Sequence, residues 1–200
     1  FDSFSMSSNP LSLQTVVTSP AAISSYIKAP GKLDLIPSHL GLINVDLDLA
    51  TQLGGATLDQ VKLKFLSVHR RLIDGLKVFN DDDYDFILID CPPNFNIVTK
   101  TALVASDYIL VPARPDYLST LGIDYLMRSI GSLVKDYNDV AAIGLAGSTP
   151  RIELTNLGVV FTMIQEYGSA PIAGQRNFMQ QVKRLPGLTV FDAYVKLNNT

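Results

Sequence analysis

A single cysteine, Cys91, stands in 200 residues, so no internal disulfide can staple the fold. A reducing, cytoplasmic compartment is the expected setting. No apolar run reaches the length of about 18 residues that a spanning helix needs, and no signal peptide is visible. The net charge of −3 supplies no strong basic field to draw nucleic acid, although it permits a local basic patch. Only two histidines occur, His39 and His69. They fall on separate helical stretches with no Cys or Glu at ligand spacing, which argues against a histidine-built metal site. No Ser/His/Asp arrangement can be argued, and there is no internal repeat or low-complexity linker.

What remains is an ordinary globular composition, 47% apolar, with charged residues at a low 18%. Two hundred residues suit one domain with a sizeable core. Residues 1–12 read as a loop, "LQTVVTS" as a short helix, and "SPAAISSYIK" as a helix with Ser19 as N-cap and Pro20 at its first position. "KLDLIP" reads as a short strand. A helix is expected from Ser38 to the Gly54–Gly55 pair. Phe65, Val68, Leu72, Leu76 and Phe79 recur at three- and four-residue steps and predict an amphipathic helix. Asp81, Asp82 and Asp83 read as a solvated turn. "FILI" (86–89) and "YILVPA" (108–113) are continuous apolar strands, with "NIVTKTALVASD" a helix between them. "YLSTLGIDYLMRSIGSLVKDY" is a long helix whose Leu121, Tyr125, Met127, Ile130 and Val134 are expected near one face. "AAIGLAG" or "LGVVFTMI" supplies a third strand, "AGQRNFMQQVKRLPG" a last helix and "LTVFDAYV" a last strand.

Strands that alternate with helices predict parallel pairing through right-handed crossovers. Strands without polar alternation predict a sheet covered on both faces. The expected fold is therefore α/β, a mostly parallel sheet with helices on both faces. Ligands bind such sheets outside the carboxyl ends of the strands. Asp90, Pro112 to Asp116 and Thr162 to Gln165 stand at three such ends and are expected to converge on one crevice.

An apolar strand that ends on Asp has the form of a Walker B segment. There a rigid mount presents hard oxygen to Mg²⁺, through water, beside a nucleoside triphosphate. By pattern alone the competing reading is a carboxylate that caps the next helix. Pro92 and Pro93 cannot donate to a sheet ladder, so they stop the strand and fix its exit.

The surroundings of Asp90 carry a resemblance. Tyr84 to Asn94, "YDFILIDCPPN", follow the pattern Y-D-Y/F-I-L-I-D-C-P-P-S/N. Ala102 to Asp107, then Val111, Pro112, Asp116 and Tyr117, continue it, and "LDLIPSHLGLINVDLDLA" and "LGVVFTMI" extend it to either side. Over roughly residues 12 to 195 the sequence resembles the ParA branch of the ParA/MinD family, the deviant-Walker P-loop ATPases. The resemblance implies a P-loop NTPase-like fold with ATP and Mg²⁺ as cofactors, and Asp90 as the catalytic, Mg²⁺-facing carboxylate. It places Pro92 and Pro93 in a switch-like loop beside the phosphates. Thr162 and Met163 lie at the strand end near the adenine, where Met163 is equally readable as core. Arg114 stands where the family usually has Gln; it would bind an anion or pair with Asp116.

The resemblance also implies a homodimer that sandwiches two nucleotides, binds DNA without sequence preference on the nucleoid, and is released by a ParB-like partner that stimulates hydrolysis. Arg176, Lys183 and Arg184 on the last helix, with Arg128 and Lys135 on another, are the candidate DNA contacts; each is also readable as a solvated helix face.

The family's phosphate loop, K-G-G-x-G-K followed by Ser or Thr, does not occur in these 200 residues. The resemblance places it ahead of Phe1, with the first strand. The expectation is a single ParA-like ATPase domain over 1–200 that lacks its N-terminal loop portion and its extreme C-terminus. Such a segment would expose apolar strand edges, and whether it is itself an enzyme stays open. Two alternatives stand beside the partition ATPase. One is a nucleotide- or DNA-binding regulator without turnover; the other is an ATP-dependent synthase of the same fold.

Overall fold

The computed structural model describes residues 34–36, 42–80, 82–144 and 147–197. The expected elements over 1–33 and the Ser38 cap lie outside these residues. The chain divides into two compact units, Phe1–Ala105 with Asp139–Arg151 and Ser106–Asn138 with Ile152–Thr200.

The first unit is helical. Helix α1 spans Leu42–Gln52, α2 Leu58–His69, α3 Arg71–Leu76 and α4 Ile97–Val104. Thr57 starts α2: its hydroxyl accepts the Gln60 amide, while the Gln60 side chain accepts the Ala56 amide. This is a near relative of the capping box. The apolar period of 65–79 buries Val68 and Leu72, but the single helix it predicts is broken at Arg70, and Phe79 lies beyond the end of α3. Val45 and Leu49 of α1 pack with Val68, Ile97 and Val98, while Leu72 packs with Ala102. Asp34 of the short segment 34–36 accepts a hydrogen bond from the Tyr84 hydroxyl.

His69 is almost fully buried at the end of α2. Its Nδ1 lies 2.8 Å from the Phe65 carbonyl, and its ring centroid 4.2 Å from that of Phe65. Burial depresses its pKa below 6.5, with a smaller push from Lys100 in the same direction; the Phe65 carbonyl opposes both. The folded state therefore binds fewer protons than the unfolded state just below pH 6.5, and stability falls as pH falls. Unfolding midpoints measured from pH 7.5 to 5 should drop on acidification, and His69→Gln should flatten that drop.

The second unit is an α/β layer. Strands β1 (Tyr108–Ala113), β2 (Thr155–Ile164) and β5 (Val190–Lys196) form a parallel sheet in the order β1-β2-β5. Strands β3 (Glu166–Tyr167) and β4 (Ala170–Pro171) make a small antiparallel hairpin. Helix α5 (Tyr117–Ala142) joins β1 to β2, and α6 (Ala173–Lys183) precedes β5. Val111, Ala113, Val159 and Phe161 of the sheet pack against Ile123 of α5 and Val182 of α6. Asn138 is buried and fully used: its amide donates to the Ile152 carbonyl at 3.0 Å and accepts the Ile152 amide at 2.9 Å. That pair fixes the chain's return into β2. Gly158 has φ 130°, and a Cβ there would stand 2.6 Å from the Thr189 carbonyl oxygen, so only glycine fits.

Two further sequence expectations are corrected. The segment 86–89 is not a buried strand: it pairs with no strand among the described residues, and Phe86 and Leu88 are 85% and 91% exposed. An apolar run becomes a buried strand only when neighbours take its backbone groups, and no strand among the described residues lies beside it. The long helix keeps only part of its expected face: Ile130 is buried and Met127 packs on the core, but the first turns of that face do not. Leu121 and Tyr125 are exposed, while Ile123, Ile130, Leu133 and Tyr137 are buried. Apolar residues occupy two sides of α5, and the sheet selects the side that stays in phase along the helix.

Candidate functional site

Asp90 follows the extended 86–89 segment and belongs to the first unit. It is exposed, and no described residue hydrogen-bonds or ion-pairs with its carboxylate. Its charge is felt next door: partial burial of the thiol, and then Asp90, push the Cys91 pKa up. Pro92 and Pro93 are exposed, and the Asn94 amide closes a tight turn on the Pro92 carbonyl at 2.7 Å.

The far end of this loop is anchored. The Asn96 side chain accepts the Thr99 amide at 2.9 Å, and Asp46 of α1 accepts the Ile97 amide at 2.8 Å. Two of the free donors at the start of α4 are thereby satisfied. Asp90 does not cap that helix; Asn96 and Asp46 do. The Asp46 contact spans 51 residues of sequence and had no local signal.

In the second unit the carboxyl ends of β1, β2 and β5 share one edge. Ala113 pairs with Phe161, and Ile164 with Lys196. Arg114 and Thr162 each follow a paired residue, so two of the three stretches expected together lie side by side. Arg114 Nε stands 3.8 Å from Asp116, with both side chains exposed. Asp116 starts α5 by accepting the Ser119 amide at 2.8 Å. That bond holds its carboxyl below the usual range, with Arg114 a smaller contributor.

Met163 is 49% exposed and has φ 55°, whereas Thr162 is half-buried. Glu166 accepts the Tyr194 hydroxyl at 2.6 Å and pairs with Lys196 at 2.7 Å. Lys196 first, then Tyr194, hold its carboxyl below its ordinary value. Arg176 on α6 and Arg184 just past its end are exposed, and Lys183 pairs with Asp192 at 2.6 Å. Arg128 pairs with Asp124 within α5.

No group of three or more His, Cys, Asp or Glu among the described residues could hold a metal by itself. Mg²⁺ bound beside a nucleotide needs no such cluster, because one or two carboxylates, phosphate oxygens and water complete its shell. The Asp90 carboxylate, which no described residue bonds, fits that donor set. A backbone cradle for the phosphates is not supplied by a Gly-rich loop within these 200 residues.

Known proteins place the chain. An AAA domain family model matches residues 3–143. The chromosome partitioning protein ParA of Caulobacter vibrioides is 29% identical over 170 residues, covering 84% of this chain and 52% of ParA. The sporulation initiation inhibitor protein Soj of Bacillus subtilis is 28% identical over 155 residues, covering 76% of this chain and 56% of Soj. The chain thus spans about half the length of these relatives. Among solved structures, cobyrinic acid a,c-diamide synthase from Mycobacterium smegmatis, with bound ATP analog and magnesium, superimposes with a TM-score of 0.66 at 21% identity. The match covers 96% of this chain and 66% of the synthase. That likeness establishes the fold, an α/β P-loop NTPase architecture with a parallel sheet. No described helix is long and apolar enough to cross a membrane. With its sheet, its Asp90 segment and its match over residues 3–143, the chain belongs to the ParA/MinD family of P-loop ATPases.

Proposed function

We propose that the protein is a ParA-type ATPase for plasmid or chromosome partition. The observation that carries this reading is the "YDFILIDCPPN" stretch with a carboxylate at Asp90 that no described residue bonds. Asp90 would hold the water shell of Mg²⁺, which when bound would supply positive charge beside the phosphates. The Pro92–Pro93 loop, anchored by Asn96 and Asp46, lies next to the phosphates and responds to them. Arg114, Thr162 and Met163 form the nucleotide-facing edge of the second unit.

Bound ATP pairs two copies, the dimer holds DNA through Arg176, Lys183 and Arg184, and a ParB-like partner triggers hydrolysis and release on the nucleoid. Of these three cations, Arg176 and Arg184 form no ion pair with a described residue and are the stronger candidates, because Lys183 is engaged with Asp192.

The synthase reading rests on fold likeness alone, at 21% identity, whereas ParA, a relative named for chromosome partitioning, is 29% identical over 170 residues. ATP turnover by the complete protein, measured with and without duplex DNA, separates the two. A partition ATPase should turn over several-fold faster with DNA. A rate that ignores DNA would favour the synthase, and binding without turnover would favour a regulator.

A further inference from the structure

At the carboxyl end of β2 the pairing with β5 slips. Phe161 pairs with Tyr194 and Ile164 with Lys196, so three steps along β2 match two along β5. The extra residue is a β-bulge, and bulges re-aim side chains. This one contains Met163, whose φ of 55° lies in the left-handed region that ordinarily selects glycine. The strain has a geometric result: Ile164 stays in the core at 1% exposure, while the Met163 side chain turns outward at the edge where open α/β sheets take ligands.

Strain of this kind persists only when the surroundings over-determine it. Gln175, in the first turn of α6, does so. Its Oε1 accepts the Gln165 amide at 2.8 Å, and its Nε2 donates to the Met163 carbonyl at 3.3 Å. One side-chain amide thus brackets Ile164 from both sides. Two further bonds close the frame: the Ile172 amide donates to Gln165, and the Leu197 amide donates to Ile164. The hairpin beyond is pinned in turn, because Glu166 of β3 holds both Tyr194 and Lys196 of β5.

We propose that Gln175 is a positioning residue: it holds the Met163 bulge in its left-handed conformation, and so presents the thioether as a preformed apolar platform for the flat ring of a nucleotide base. This rests on the nucleotide reading above and adds the group that builds that edge. Gln175 acts through Met163 and does not touch the phosphates.

Two measurements on the complete protein test it. The first needs no nucleotide. Met163→Gly removes the conformational penalty, so Gln175→Ala should lower the unfolding midpoint less in the Met163→Gly background than in the wild type. Equal drops in both backgrounds would overturn the clamp. The second compares equilibrium binding of Mg·ATP and of Mg·tripolyphosphate, which has no base. Gln175→Ala and Met163→Ala should each weaken ATP about five- to tenfold, the scale of one ring contact. The double variant should lose no more than either single one, and tripolyphosphate should bind equally in all of them. Unchanged ATP affinity in Gln175→Ala, or an equal loss for tripolyphosphate, would overturn the positioning role. A wild-type protein that binds tripolyphosphate but not ATP would overturn the platform. One that binds neither would sink the nucleotide reading, and the stability cycle would still decide the clamp.

Discussion

Replacing Asp90 by Asn in the complete protein should cut Mg²⁺-dependent ATP turnover by about a hundredfold or more. Asn keeps the size of the side chain and removes the charge that the metal's water shell requires. An ion worth several kcal/mol to the developing phosphate charge becomes misplaced, and each 1.36 kcal/mol is about a factor of ten in rate. The same change should leave stability within about 0.5 kcal/mol, because Asp90 is exposed and no described residue bonds its carboxylate. Turnover and the unfolding midpoint should therefore separate. Full turnover in Asp90→Asn would remove Asp90 from the metal site. A large loss of stability would assign it a structural role instead.

The largest stability effect is expected at Phe161. Its ring is 0% exposed between Val159 and Ile164, in the cluster that ties the sheet to Ile123 of α5 and Val182 of α6. Phe161→Ala deletes the ring from a site pressed from several sides, which limits collapse into the cavity. The expected cost is about 3–5 kcal/mol, against a total stability of about 5–15 kcal/mol for an ordinary domain. Denaturant unfolding should show a lower midpoint with an unchanged slope, or a second unit already open in water. A cost below about 1 kcal/mol would mean that the core is not organised around this ring.

The sequence made some of this fold readable and left other parts hidden, for physical reasons. "YILVPA" coincides with β1, and the final helix and strand fall where their patterns place them, because each signal is local. The β3–β4 hairpin was missed; its strands are two residues long, and its only cue is Gly168–Ser169, both with positive φ in the turn. The 86–89 segment reads as a strand, but pairing depends on a neighbour that no local pattern reveals. The buried face of α5 was misjudged at Leu121 and Tyr125, since two apolar stripes compete and only the partner surface chooses between them.

The site divides in the same way. Asp90, Pro92 and Pro93 announce themselves in a short motif. The groups that organise their surroundings, Asp46 on Ile97 and Gln175 on Met163, act across 51 and 12 residues and leave no trace in the local pattern. Arg114 left two readings open, and in the structure it stands beside Asp116.

A nucleotide-controlled grip on DNA can be read by electrophoretic retention of duplex DNA with the complete protein, at fixed low salt, with Mg·ATP, with Mg·ADP and without nucleotide. Retention is expected with ATP, with loss of retention in ADP and weakening that steepens with added salt as phosphate contacts are screened. Retention that is equal in all three conditions, or absent in all three while ATP is bound, would contradict it.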